Sequence, residues 1–530
     1  MSKQKTTNKA SGARIIEVVK NHWILLFILA IHILIWLYLN QYLTPHSDFV
    51  DHWMQSRVWS LSYYEHPPMV AIFIKALTAV FGSSEMGLET SALTFSVFLN
   101  ICAYAFTVYL YNKRAGIFTV LLMEASPFFL ARAASIQTEQ PLVFFWIVSL
   151  LVFIRYIKTG KNYWLIVLGI FTGLGALSKY TMILFYVSMA VYITVEPNRR
   201  KEWLNPWQLL GGLTSLAIFS PVLIWNSLND WVSFRFQLEK GSVDEGIIFG
   251  LSSVLFLIGV LGAFSLITMI WGYTRMFRHI KTNGFKNPDL SLEKSITNIL
   301  VVFSIVPILV FTLAMARNEY HDPHWAVLAV ITFYVWLGHE SSRLWEAGKK
   351  RFIKIIYSTA LILNFVVFFV IFSYAFKPDF NLPYFRSNLV DHIFGWDSTV
   401  SKAEKLLKSE GYDNIEYVIS PFYPLASQFA LHLSSQPRSY CLERTKRNLW
   451  SDPNKMNSKN TIAVCTDSCS ILHSRIGRAI GLKIEKLGVI RSEVTRTIRT
   501  VEIYRIVGRD ETLLEPDYIN FDKRLLPIKK

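Results

Sequence analysis

The chain has 530 residues, 52% of them hydrophobic and only 17% charged, with a formal net charge of +16. Its mean hydropathy is +0.33, and soluble domains carry about 25% charged residues. Those figures exclude a string of soluble domains and disordered or collagen-like chains. The excess of Lys and Arg sits in short clusters between long apolar blocks. That placement marks the inner loops of a membrane protein and not a nucleic-acid surface.

A spanning helix needs about 20 mainly apolar residues. In chain order the candidate spans are Trp23 to Leu43, Leu88 to Asn112, Gly116 to Leu130, Gln140 to Tyr156, Tyr163 to Leu177 and Thr181 to Val195. They continue with Trp207 to Trp225, Gly246 to Tyr273, Ile296 to Met315, His324 to Leu337 and Phe352 to Phe376. Met69 to Gly82 is apolar but short and interrupted by Lys75, so it reads as an interfacial helix. The expected fold is a polytopic α-helical membrane protein of about 11 spans. Alternating these spans puts Lys113-Arg114, Arg199-Arg200-Lys201, Arg275 with Arg278, and Lys349-Lys350-Arg351 on the inside. The N-terminus is then cytoplasmic and the C-terminal region outside, with the first span an uncleaved anchor.

From Lys377 the apolar blocks stop. Ser401 to Lys408 has a helical pattern, and Ile415 to Ser420, Thr461 to Thr466 and Arg499 to Ile506 have strand patterns. The division is therefore a membrane domain over residues 1–376 and a small α/β domain over 377–530 on the outer face. Cys441, Cys465 and Cys469 fall in the second part, where an oxidising periplasm permits a disulfide. The Cys465-to-Cys469 spacing fits neither a zinc ribbon nor a thioredoxin motif.

Unusual polar residues collect on the expected outer side. The first outer loop reads His46-Ser-Asp48-Phe-Val-Asp51-His52, followed by Tyr63-Tyr64-Glu65-His66-Pro-Pro68. Asp48 and His52 are four apart and would share a helical face. A carboxylate screened from bulk water at a membrane surface suits a general base. Gln137-Thr-Glu139-Gln-Pro141 opens the fourth span, where the acid either caps a solvated end or faces the same cleft. Lys179, Arg235 and Arg317 break the rule that outer loops avoid cations, and His324 opens the tenth span. Cations held there suit an anionic group such as a phosphate, with lipid headgroup contact as the plainer alternative. Acids on one side of an outer cleft and cations on another fit a lipid-phosphate-linked sugar. No strand–glycine loop–helix unit for a nucleotide is present.

The sequence resembles bacterial members of glycosyltransferase family 39, the protein O-mannosyltransferase group, and relatives that attach aminoarabinose to lipid A. The resemblance lies in His46-Ser-Asp48, Tyr63-Tyr-Glu-His-Pro-Pro68, Thr138-Glu-Gln-Pro141, Leu177-Ser-Lys-Tyr-Thr181, Ser220 to Asn226, Trp231 to Gln237 and His324-Trp325. Ala426 to Ala430 and Gln436-Pro437 extend it into the outer domain. It implies a GT-C membrane architecture in a bacterial inner membrane. It also implies an inverting transfer from a polyprenyl-phosphate sugar to lipid A, to lipopolysaccharide core, or alternatively to protein. Asp48 matches the family's first-loop aspartate and is the candidate base. Lys179, Arg317 and His324, with Arg235 beside them, are the candidate donor-phosphate residues. Asp51, Tyr64, Glu65, His66, Gln137 and Glu139 are candidates for the acceptor side or the cleft.

The family usually has Asp-Glu where this chain has Asp48-Phe49, and often Asp where it has Glu139. The first departure leaves open whether His46, Asp48, Asp51, His52, Glu65 and His66 bind a divalent metal. A transporter of lipid-linked sugars is the competing class. It would place polar residues at the midplane and show an internal repeat, and no repeat is visible in the chain.

Overall fold

The computed structural model describes residues 2–240, 251–285, 291–315, 322–376, 391–442, 455–466, 469, 482–494 and 497–509. The helices run α1 Ser2–Leu39, α2 Ser47–Ser56, α3 Met69–Phe81, α4 Glu85–Leu110, α5 Lys113–Glu124 and α6 Pro127–Ala131. Then follow α7 Glu139–Thr159, α8 Tyr163–Ala176, α9 Leu184–Val195, α10 Pro206–Leu228 and α11 Val232–Lys240. The bundle closes with α12 Leu251–Ala263, α13 Leu266–Asn283, α14 Leu292–Ala314, α15 Val327–Glu346 and α16 Lys350–Phe376. Among the described residues six helices are long and apolar enough to cross a membrane, or seven with one bent pair counted as a span. The chain is a multi-pass membrane protein.

Three expected spans differ in detail. Gly246 to Tyr273 begins outside the described residues, and its remainder is two helices, α12 and α13, bent by 111°. The break falls at Ser265, whose backbone is left-handed at φ 71° and leaves the helical ladder. Gly116 to Leu130 is likewise α5, a turn, and α6, because Pro127 cannot continue the α5 hydrogen bonds. His324 to Leu337 becomes a short 3-10 turn, Pro323–Ala326, leading into the longer α15. The helix α15 is buried along most of its length and forms the axis of the bundle, with Tyr334 and Phe333 fully enclosed.

Close helix contact relies on small residues. Gly169 and Gly173 of α8 face α10, where a Cβ on Gly169 would meet the Gly211 carbonyl at 2.1 Å. Such spacing is the small-xxx-small packing of membrane helices. It fixes the end of α8, from which the chain passes through Lys179 in extended backbone to the 3-10 turn Tyr180–Ile183. The start of α3 is tied to the same place, since the Met69 amide donates to the Leu177 carbonyl at 3.0 Å.

Beyond α16 the chain forms a five-stranded sheet in the order β2-β1-β3-β5-β4. Its strands are β1 Tyr417–Ser420, β2 Arg438–Cys441, β3 Thr461–Cys465, β4 Leu482–Val494 and β5 Thr497–Arg509. Strand β1 is parallel to β2 and β3, while β3 with β5 and β5 with β4 are antiparallel. The central strands β1 and β3 are buried throughout, as parallel strands covered on both faces must be. Two helices, α17 Trp396–Ser409 and α18 Tyr423–His432, cover one face through Trp396, Val400, Leu425 and Phe429. Cys465 and Cys469 form a disulfide, and Cys441 is buried with its thiol 3.6 Å from the Pro421 carbonyl.

Candidate functional site

The first polar loop folds as the short helix α2, whose residues are almost all buried. His46 caps it: the Asp48 amide donates to His46 Nδ1 at 3.2 Å. Accepting through Nδ1 requires the neutral ring, and burial pushes the His46 imidazole down to about 4, against the pull of Asp48. The ring also stacks on His392 of the sheet domain, with centroids 5.0 Å apart.

Asp48 sits in the first turn of α2, where a helix end favours negative charge. Its side chain keeps 38% exposure. Its Oδ1 accepts a 2.6 Å hydrogen bond from the Tyr423 hydroxyl, at the start of α18. The docking of α18 against α2 is built from further polar contacts. Gln428 donates to the Pro45 carbonyl at 2.8 Å and to Ser47 Oγ at 3.3 Å. Arg57 donates to the carbonyls of Gln436 at 2.7 Å and Pro437 at 3.2 Å, with its guanidinium over the Trp53 ring. The stretches Ala426–Ala430 and Gln436–Pro437 therefore carry the seam between the two domains.

A second acid lies at the start of α7. Glu139 is buried, and its Oε1 takes Lys179 Nζ at 2.7 Å and His324 Nε2 at 3.5 Å. Its Oε2 has no hydrogen-bond partner among the described residues, although it is shielded from solvent. Arg132, in the turn after α6, packs its guanidinium over Phe128 at 4.5 Å. Burial lowers the pKa of that guanidinium, while Glu139 and Asp48 both act to raise it. Arg132 therefore feels both acids, and with Glu139 it lines one small cavity. Beside Lys179 an apolar cavity of about 390 Å³ opens, lined by Tyr180, Ile183, Leu216, Phe219 and Phe234, with Thr172 and Tyr186 on its wall.

Of the residues singled out in the sequence, Asp48, Glu139, Lys179 and His324 converge on this end of the bundle. Asp51 is buried within α2 and accepts from Gln55 Nε2 at 2.9 Å. Tyr64 packs on Phe236, and the Glu65 carbonyl accepts from Gln237 Nε2 at 2.7 Å. His66 meets the His52 ring edge-on at 5.8 Å. Gln137 bonds locally to Ser135 and Gln140. Arg235 is exposed on α11, and Arg317 lies outside the described residues. The motif Ser220–Asn226 with Trp231–Gln237 has a structural role: Asn226 Oδ1 accepts from the Ser233 amide and holds a turn in which Asp230 and Trp231 adopt positive φ. Among the described residues the loop acids and histidines do not bring three ligand atoms together. The grouping that does, Cys465, Cys469 and Glu502, has its two sulfurs joined in the disulfide.

Sequence reasoning missed two residues. Arg132 carried the same signal as Lys179, a cation at the end of an apolar block on the side the sequence pattern assigns to the outside. Tyr423 carried none, because its partner lies 375 residues away.

A helical membrane bundle with a polar cleft at one end and a small sheet domain over it is the GT-C fold of membrane glycosyltransferases. Residues 65–225, which hold Arg132, Glu139 and Lys179, match the family described as dolichyl-phosphate-mannose-protein mannosyltransferase. ArnT from Cupriavidus metallidurans bound to undecaprenyl phosphate has the same fold, with a TM-score of 0.60 at 13% identity over 94% of this chain and 99% of that one. Its apo form gives 0.61 at 14% identity over 94% and 100%. No curated protein matches the chain in sequence.

Proposed function

We propose that the chain is an inverting glycosyltransferase of a bacterial inner membrane, with its N-terminus cytoplasmic and its sheet domain periplasmic. Its donor is a polyprenyl-phosphate sugar, and its acceptor is lipid A or lipopolysaccharide core. The observation that carries this reading is the buried Glu139, which pairs with Lys179 at 2.7 Å and shares the lining of a small cavity with Arg132, while Tyr180, the next residue after Lys179, lines an apolar cavity. The fold neighbour bound to undecaprenyl phosphate supports the donor class.

In the reaction the acceptor oxygen attacks the anomeric carbon, and the bond from that carbon to the phosphate oxygen breaks. Asp48 takes the acceptor proton, and the polyprenyl phosphate leaves with the bonding pair. Lys179 and Arg132 hold the phosphate and stabilise the charge growing on it, while the cavity beside Tyr180 takes the first apolar units of the lipid. Glu139 keeps Lys179 and His324 in place, and its open oxygen accepts from a sugar hydroxyl. Where the acceptor is an already ionised phosphate, no base is needed, and Asp48 stabilises positive charge on the sugar instead.

The description of the matched family favours a second acceptor, protein, transferred to by the same chemistry. Mass spectrometry of lipid A, released core and total glycoprotein from cells with and without the gene separates the two. A single sugar mass lost from lipid A or core supports the reading, and one lost from glycopeptides replaces the acceptor. A polyprenyl-phosphate sugar accumulating with no sugar lost anywhere would make the protein a transporter.

A further inference from the structure

A cavity of about 600 Å³ lies at the other end of the bundle, between α1, α5 and α16. Its volume is in the range of pockets that enclose a ligand, about 300–1,000 Å³. Two layers make it up. The wall within the apolar part of the bundle is formed by Leu25, Phe118, Leu121 and Leu361, and the mouth carries Lys20, Lys113, Arg114 and Lys354. At the mouth α1 is kinked at His22, where φ is −129° and ψ 18°. The His22 ring turns inward to Tyr104, with Nδ1 2.8 Å from the hydroxyl.

The charge at the mouth is only partly offset. Arg114 pairs with Glu346 at 2.8 Å, while Lys354 lies over the Trp345 ring. A row of cations above an apolar slot fits a molecule with a phosphate at one end and hydrocarbon at the other. Basic pockets between membrane helices recognise anionic lipid headgroups in this way. We propose that this groove is a binding site for an anionic glycerophospholipid of the leaflet opposite the Asp48–Glu139 site. Lys113 and Lys354 hold the phosphodiester, and an acyl chain fills the slot down to Leu121. The site is separate from the donor cavity, since about 20 helical residues of α1, roughly 30 Å, divide Lys20 from the Asp48 end.

Native mass spectrometry of the purified full-length protein tests this with dioleoyl phosphatidylglycerol and dioleoyl phosphatidylcholine. One phosphatidylglycerol should be retained in preference to phosphatidylcholine. Lys113→Ala with Lys354→Ala should weaken retention about thirtyfold, and Lys113→Arg with Lys354→Arg should preserve it. Equal retention of the two lipids would overturn the proposal. Displacement of the lipid by inorganic phosphate would also overturn it, in favour of a water-soluble phosphate ligand. Thermal unfolding of the unmodified protein gives a reading free of variant misfolding: phosphatidylglycerol should raise the midpoint and phosphatidylcholine should not.

Discussion

Two glutamates in this bundle each gather two basic side chains, and they are finished differently. Glu340 of α15 binds Arg275 through Oε1 and Arg343 through both oxygens, with Arg343 Nε 2.9 Å from Oε2. Both of its oxygens are occupied, and Arg343 stays 61% exposed. Glu139 binds Lys179 and His324 through one oxygen and leaves the other buried without a partner among the described residues. A buried polar atom left open costs about 1–3 kcal/mol. The Glu340 cluster ties α13 to α15, whereas in the proposed function the open oxygen of Glu139 meets a ligand.

The largest effect should come from the acid beside that open cluster. Asp48→Asn should lower turnover about 100-fold or more with donor affinity nearly unchanged, read by kcat and by donor binding separately. Retained turnover would remove Asp48 from the chemistry. Lys179→Met should act on the other quantity, weakening donor binding about ten- to a hundredfold through loss of a charged hydrogen bond. An unchanged donor affinity would make the Glu139 cluster as structural as the Glu340 one.

Tyr423→Phe removes one hydrogen bond to Asp48, so kcat should fall about three- to tenfold, with KM little altered. Glu340→Gln sharpens the contrast from the other side. It should lower the unfolding midpoint, by about 1 kcal/mol of stability given the solvent around its arginines, and leave donor KM alone.

A further expected effect is a pH dependence of the domain seam. Burial holds His46 and His432 down at about 4, below the usual imidazole value. Their contribution is therefore complete above about pH 6.5 and is lost as pH falls toward 4. Thermal unfolding should be flat above pH 7 and should decline between pH 6.5 and 4. The slope should be shallower in His46→Gln with His432→Gln, and an unchanged slope would place the titration elsewhere.

The membrane class and the polar end of the bundle were legible because they are local. Long apolar blocks, cations on the unexpected side, and His46 with Asp48 are patterns within a few residues. Breaks inside apolar blocks were harder: Ser265 looks ordinary in sequence, and only its left-handed backbone separates α12 from α13. Strand β2 is four residues long, too short for alternation to emerge. The seam was visible only as resemblance. Gln428 and Gln436 stood out in family-like stretches, yet their bonds to Pro45, Ser47 and Ser83 depend on pairing distant parts of the chain.

That pairing has a consequence for biogenesis. The bond from Tyr423 to Asp48 spans 375 positions, so an aspartate made near the beginning waits for a tyrosine made near the end. At about 5–20 residues per second, roughly 20 to 75 seconds of synthesis separate the two. Through that interval the helices can insert in order while the cleft stands uncovered. A chain cut short before α18 keeps its Asp48 but lacks the Tyr423 hydroxyl that holds it.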